Sequence, residues 1–369
     1  MAVDAVTVAH AAAREPTDRS NKPTVAELTV KGAFSMNRAP RHVLAAFTAV
    51  LLLAWPFASH AAAAESRAAA KTEAKAPAQR EPALANVPYG EHERQVLDFY
   101  KAESSLPTPL LFFIHGGGWV GGDKARVANL DKYLAAGISV ASINYRYVTQ
   151  AQTAGVKPPV QWPLHDAARA LQFVRSKTAE WNIDKARVAA SGGSAGACSS
   201  LWLAFHDDLA DPQSTDPVAR ESTRLWCAAV AGAQTTLDPQ QMKEWTPNSR
   251  YGGHAFGFMP DPKDTKTRDT QFARFLAARE GILPWIKEYS PYEHVTADDP
   301  PIYLFYSAPP ALGQEQKDPT HTANFGVKLG EKLGSVGVEC ELVYPGAPDV
   351  KHPQVYDYLI ERLKAEGKR

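Results

Sequence analysis

The sequence predicts an α/β fold built on a mostly parallel sheet, and three observations predict it. Short β-rich runs alternate with helical stretches from Pro82 onward, the pattern of strands joined by crossover helices. No internal repeat interrupts that alternation. The composition, 44% apolar, 9% aromatic and 22% charged over 369 residues, is that of a globular chain able to bury a sizeable core.

Taken in order, strands are expected at Gln95–Phe99, Pro109–His115, Ser139–Tyr145, Arg187–Ser191, Leu225–Ala231, Ile302–Tyr306 and Glu339–Val343. Helices are expected at Ala125–Ala136, Leu164–Thr178, Ala195–His206, Thr322–Gly334 and Pro353–Glu366. Periodicity fails between Thr235 and Pro291, where only a short helical piece, Thr270–Arg279, is expected. Residues 235–291 therefore read as a lid-like insertion, since long irregular loops in compact domains serve as lids or binding surfaces. Its aromatics, Trp245, Tyr251, Phe256, Phe258 and Trp285, either stack on a sugar or phenolic group or pack the lid onto the domain.

The first eighty residues follow another logic. Arg38, Arg41 and His42 precede an apolar run, Val43–Phe57, and small residues follow at Ala61–Ala64, the layout of a cleavable export signal. The run is short for a membrane span, which needs roughly twenty residues. Residues 36–64 are thus expected to be a signal peptide starting at Met36, residues 1–35 a mis-set start, and 65–81 a polar linker unable to bury enough surface to fold. An uncleaved anchor is the alternative. The folded domain is expected over 82–369, exported to the periplasm or medium, with no stable membrane insertion after cleavage.

Forty Lys and Arg balance forty Asp and Glu, which argues against a polyanion partner such as nucleic acid. The three cysteines, Cys198, Cys227 and Cys340, sit in apolar or alternating runs and read as buried thiols; a domain of about 285 residues does not need disulfides. No H-E-x-x-H or C-x-x-C is present, and His206-Asp207-Asp208 reads as the solvated end of a helix, so no metal is expected. Gly116-Gly117-Gly118 lacks the spacing of a dinucleotide site. No cofactor is expected.

Two motifs carry chemistry. Gly192-Gly193-Ser194-Ala195-Gly196 fits G-x-S-x-G between a strand and a helix, where small neighbours permit a sharp turn and the helix directs its positive end at the serine. His115-Gly116-Gly117-Gly118-Trp119 follows a buried strand, and glycines there free backbone N–H groups to face a developing oxyanion.

With these motifs, and with Tyr89-Gly90, Gln95-Val96-Leu97-Asp98, Gly121-Gly122-Asp123-Lys124, Asn144-Tyr145-Arg146, Asp166 and Trp181-Asn182-Ile183-Asp184, the chain resembles the α/β-hydrolase superfamily. Within it the likeness is to the HGGG carboxylesterases, meaning the hormone-sensitive-lipase-like enzymes and the bacterial feruloyl or acetyl xylan esterase group. The resemblance implies Ser194 as nucleophile, the N–H groups of Gly117, Gly118 and Ala195 as oxyanion hole, and Trp119 at the substrate. It implies His352 as base, because the family places its histidine in the loop after a strand ending in Pro-Gly, here Tyr344-Pro345-Gly346. For the acid the chain departs from the family: the loop after Ile302–Tyr306 is longer, and Asp318, which keeps an Asp-Pro pair, is favoured over Glu315. A His352–Ser194 dyad is the remaining possibility.

The expected function is a serine carboxylic-ester hydrolase acting on small or carbohydrate-linked esters through an acyl-enzyme. An acyl-peptidase of the same fold and a non-catalytic binding protein are the rivals. The sequence does not fix the oligomeric state.

Overall fold

A computed structural model describes residues 80–365 apart from 262 and 265. The expected signal peptide and nearly all of the linker lie outside the described residues. Among those described, no helix is long and apolar enough to cross a membrane.

Eight strands form one sheet: β1 (Leu84–Pro88), β2 (Val96–Tyr100), β3 (Thr108–Ile114), β4 (Ser139–Ile143), β5 (Ile183–Gly193), β6 (Cys227–Ala231), β7 (Ile302–Phe305) and β8 (Cys340–Val343). Their order is β1-β2-β4-β3-β5-β6-β7-β8. β2 runs antiparallel to both its neighbours, and β4 through β8 pair in parallel. Every strand expected from the sequence is present with slightly different ends; β1 is an addition at the edge.

The helices are α1 (Leu130–Ala135), α2 (Val148–Thr153), α3 (Gln161–Ser176), α4 (Thr178–Trp181), α5 (Ala195–Phe205), α6 (Pro239–Trp245), α7 (Lys266–Tyr289), α8 (Asn324–Ser335) and α9 (Val355–Lys364). α1 and α9 cover one face of the sheet and close a core around Leu111, Val140, Tyr303 and Leu359. α3, α5 and α8 cover the other with the larger core, including Leu110, Phe112, Leu171, Leu201 and Leu329. The middle strands are built from Ala189, Ala190, Ala228 and Ala229, all fully buried; so small a surface on a doubly covered sheet lets α5 and α9 approach closely.

The insertion is more regular than the sequence suggests. α7 runs 24 residues where a short piece was expected, continuing past Gly281 and through Pro284 because Phe272, Phe275, Ile286 and Tyr289 anchor it to the core. Tertiary burial here overrides two residues that weaken an isolated helix. Of its aromatics, Trp245, Tyr251 and Phe256 are buried and Phe258 and Trp285 pack against the core, so the lid-packing reading holds and the sugar-stacking one gains no support. Cys198 and Cys227 are buried free thiols and Cys340 is free and half-buried; desolvation pushes Cys227 and Cys340 up to about 12.

Candidate active site

The register of β3 and β5 builds the site. Phe113 pairs with Ser191 and Ile114 with Gly192, so the glycine loop leaving β3 and the elbow leaving β5 emerge side by side. The fit has no slack: a Cβ on Gly196 would lie 2.1 Å from the Ile114 carbonyl oxygen, and one on Gly192 would lie 2.3 Å from it. Only glycine allows α5 to start this close to the end of β3.

Ser194 sits on that elbow at φ 55°, ψ −123°, a backbone conformation costly for any residue with a side chain and typical of a site where strain is retained for function. Its N–H donates to the Ala231 carbonyl at 3.0 Å, and its Oγ lies 2.9 Å from His321 Nε2. His321 Nδ1 is 2.8 Å from Asp318 Oδ2. Asp318 Oδ1 accepts the main-chain N–H groups of Thr320 and His321 at 3.1 and 3.2 Å. Partial burial raises the Asp318 carboxyl, but the hydrogen bond and charge of His321 and the two N–H donors outweigh it, leaving the group below its ordinary value. The His321 ring packs on Gly232, at φ 59°, where a Cβ would stand 3.3 Å from the ring.

Ser194 and Asp318 thus stand where the sequence places them, joined by a histidine it did not single out. His352 is a correction. It is buried, with Nδ1 2.6 Å from Glu341 Oε2 and Nε2 3.0 Å from Glu361 Oε2, and its main-chain N–H and carbonyl are held by Glu341 and Tyr303. Both ring nitrogens are taken by carboxylates, so His352 cannot serve Ser194 as a base; it ties the loop before α9 to β8. Bonds from Lys351 and His352 lower Glu361 to about 2. The Glu315 side chain makes no hydrogen bond to His321 among the described residues. The overlooked signal is short: in Asp318-Pro319-Thr320-His321 a histidine follows the acid by three residues.

In the glycine loop, Gly117 and Gly118 have φ of 101° and 61°, and the Gly117 carbonyl accepts from Val120 and Gly121 at 3.0 and 3.2 Å. Among the described residues no hydrogen bond takes the N–H groups of Gly117, Gly118 or Ala195, so three donors at the mouth of the elbow remain available to an anionic oxygen. Trp119 is a second correction. Its side chain is wholly buried, donates from Nε1 to Ser199 Oγ at 3.0 Å, and lies against Tyr251 and His254, so it pins the loop to α5 rather than meeting a substrate.

Several of the other resemblance residues brace this loop. Lys124 Nζ pairs with Asp98 at 2.8 Å, Asn144 Oδ1 accepts the Lys124 N–H, and the Tyr145 hydroxyl donates to the carbonyl of His115. The His115 ring stacks on Tyr145 with centroids 4.3 Å apart. Burial lowers His115, and His254 beside Trp119, to about 4, so both rings are neutral at physiological pH.

A cleft of about 600 Å³ opens beside the elbow, lined by His115, Gly117, Gly193, Ala231, Phe305 and Tyr356 among others. A larger groove, about 750 Å³, lies near the start of β4 and is lined by Arg80, Glu81 and Asp131 among others. That is the end of the sheet opposite Ser194.

Comparison with known proteins agrees with this architecture. The chain is 33% identical to esterase LipC of Mycobacterium tuberculosis over 236 residues, covering 60% of this chain and 49% of LipC; it therefore spans about half the length of that relative. The acetyl ester-xyloside bifunctional hydrolase of Caldicellulosiruptor lactoaceticus superposes with a TM-score of 0.53 at 22% identity over 77% of this chain and 94% of that one. Thermogutta terrifontis esterase 2, in a form phosphonylated by sarin, superposes at 0.52 and 22% identity over 77% and 93%. At such identities the structural likeness speaks to the fold alone, and that fold is the α/β-hydrolase one. The BD-FAE family matches residues 97–312, more than half of the chain, including the glycine loop and the serine elbow; the chain belongs to the BD-FAE family.

Proposed function

We propose that the chain is a serine carboxylesterase whose base is His321, oriented by Asp318. The observation that carries this is the relay of two contacts, Ser194 Oγ to His321 Nε2 at 2.9 Å and His321 Nδ1 to Asp318 Oδ2 at 2.8 Å, on a strained elbow beside three unpartnered N–H groups. His321 Nε2 takes the Ser194 proton as Oγ attacks the ester carbonyl. The N–H groups of Gly117, Gly118 and Ala195 hold the resulting oxyanion. Collapse breaks the bond to the alcohol oxygen, which leaves with the proton held by His321. Water, deprotonated by the same nitrogen, attacks the acyl-serine; the acid departs and the proton returns to Ser194.

Relatives named as esterases support this reading, and so does the phosphonylated state recorded for the Thermogutta esterase. Neighbours titled acetyl ester-xyloside hydrolase and carbohydrate esterase favour small or carbohydrate-linked esters. Phe113, Phe305 and Tyr356 in the cleft offer an apolar wall for one half of such a substrate. Export through residues 36–64 is part of the same proposal and rests on the sequence alone.

The test is active-site labelling. Diisopropyl fluorophosphate should modify the protein once, on the peptide carrying Ser194, and abolish turnover of a p-nitrophenyl ester; absence of labelling with the protein folded would overturn the reading. Relative rates on p-nitrophenyl esters of graded length, acetylated xylan and methyl ferulate then fix the substrate class.

A further inference from the structure

Away from Ser194, His206, Glu288 and His294 each bring one ligand-capable atom within 4.8 Å of the others. They come from three elements: His206 caps the C-terminus of α5, Glu288 lies in the last turn of α7, and His294 ends a 3₁₀ turn at Pro291–His294. More than eighty residues separate His206 from Glu288, so no sequence motif announces the group.

The contacts around His206 suit a metal ligand. Nδ1 is 2.9 Å from the Asp207 carbonyl oxygen and Nε2 is 3.2 Å from Glu288 Oε1. Both neighbours are acceptors, so the ring either carries two N–H groups and pairs with Glu288 directly or keeps one hydrogen on Nδ1 and offers the Nε2 lone pair to a metal ion. With that hydrogen on Nδ1, the Nε2 lone pair faces a carboxylate, and a metal ion between them satisfies both. A ring nitrogen bonded to a backbone carbonyl is also how metal-binding histidines are commonly oriented. The His294 ring lies 4.8 Å from that of His206 and is held beside Glu288 by a 2.6 Å contact from Nε2 to the Glu288 carbonyl. The C-terminal end of α5 adds its negative partial charge.

We propose that His206, Glu288 and His294 form a binding site for a divalent transition metal of the zinc class. Two imidazoles and a carboxylate suit zinc, with water as the fourth ligand. Zinc–ligand bonds of about 2.0–2.2 Å put tetrahedral ligand atoms roughly 3.3 Å apart. The His206–Glu288 pair already meets that spacing, and the His294 ligand atom, within 4.8 Å of both, draws in on the ion. The site lies at the far end of α5, about 18 Å along the helix from Ser194 at 1.5 Å per residue, so the metal takes no part in ester chemistry. It staples α7 of the insertion to the helix that carries the nucleophile.

The experiment is calorimetric titration of the untagged, metal-stripped full chain with zinc chloride, with thermal unfolding in parallel. One equivalent should bind with Kd on the order of 1 μM or tighter, and zinc at a hundred times Kd should shift the folding equilibrium about 100-fold. His206→Gln and His294→Gln should each weaken binding by about 30-fold or more, while His321→Ala, which removes the imidazole at Ser194, should leave it intact. Absence of saturable binding below about 100 μM, or binding that survives both His206→Gln and His294→Gln, would overturn the proposal.

Discussion

Asp318 grips His321 from three residues upstream: one carboxylate oxygen receives the ring at 2.8 Å and the other receives the His321 main-chain N–H at 3.2 Å. A single turn of loop therefore fixes both the position and the tautomer of the imidazole, without help from the strand after which a second histidine stands.

That compactness comes with exposure, since the Asp318 side chain is 63% and the His321 side chain 37% accessible. Water screens an exposed carboxylate more than a buried one. Asp318→Asn should lower kcat by roughly 10–10³-fold with KM little changed, a milder loss than for a buried triad acid. Glu315→Gln should leave kcat within a few-fold. Steady-state kinetics on a p-nitrophenyl ester measures both.

Gly232 makes the floor for the His321 ring. Ala at this position would be strained at φ 59° and would press a methyl 3.3 Å from the ring, pushing Nε2 off Ser194. Gly232→Ala should lower kcat at least about tenfold, because small misplacements of a catalytic group are costly, and should destabilise by about 1 kcal/mol. An unchanged kcat would mean that the ring is not seated as described.

His115 and His254 predict acid sensitivity. Their folded values, about 4, lie below the ordinary 6.5, so the unfolded chain binds more protons between these limits and stability falls as pH falls from about 6.5 toward 4. At pH 5 each costs about 2 kcal/mol relative to neutral pH. Asp299, raised to about 6 by burial, acts the other way and offsets part of this loss. Thermal unfolding at pH 7 and pH 5 should show a lower Tm at pH 5, and His254→Gln should shrink the difference.

His352 should matter for stability. Removing the ring leaves Glu341, largely buried at 18% exposure, without its partner, and His352→Ala should cost about 2–3 kcal/mol. Urea unfolding would read this as a lower midpoint with the slope unchanged.

The parts of the site that were legible in the sequence are those encoded by contiguous residues. The glycine loop and the elbow each announce a strand, a turn and a special backbone conformation within a few positions, and Asp318 kept its Asp-Pro pair. The histidine proposed as base was not legible, because His352 occupies the expected place after β8 while the carboxylates that claim it, Glu341 and Glu361, stand about ten residues away on either side. Trp119 reads as a substrate contact for a related reason: it adjoins the glycine motif, but its ring points into the core. In the fold, α7 was obscured by Gly281 and Pro284, whose local cost is outweighed by contacts of Phe275 and Ile286 that only the tertiary structure supplies.

Two histidines, His321 in the loop after β7 and His352 in the loop after β8, compete for the role of base, and the contacts of Ser194 favour His321. The deciding measurement is kcat/KM of His321→Ala and His352→Ala, each corrected for the fraction folded. His321→Ala should lose about 10³-fold or more, and His352→Ala should stay within a few-fold of the parent. The reverse pattern would contradict His321 as the base.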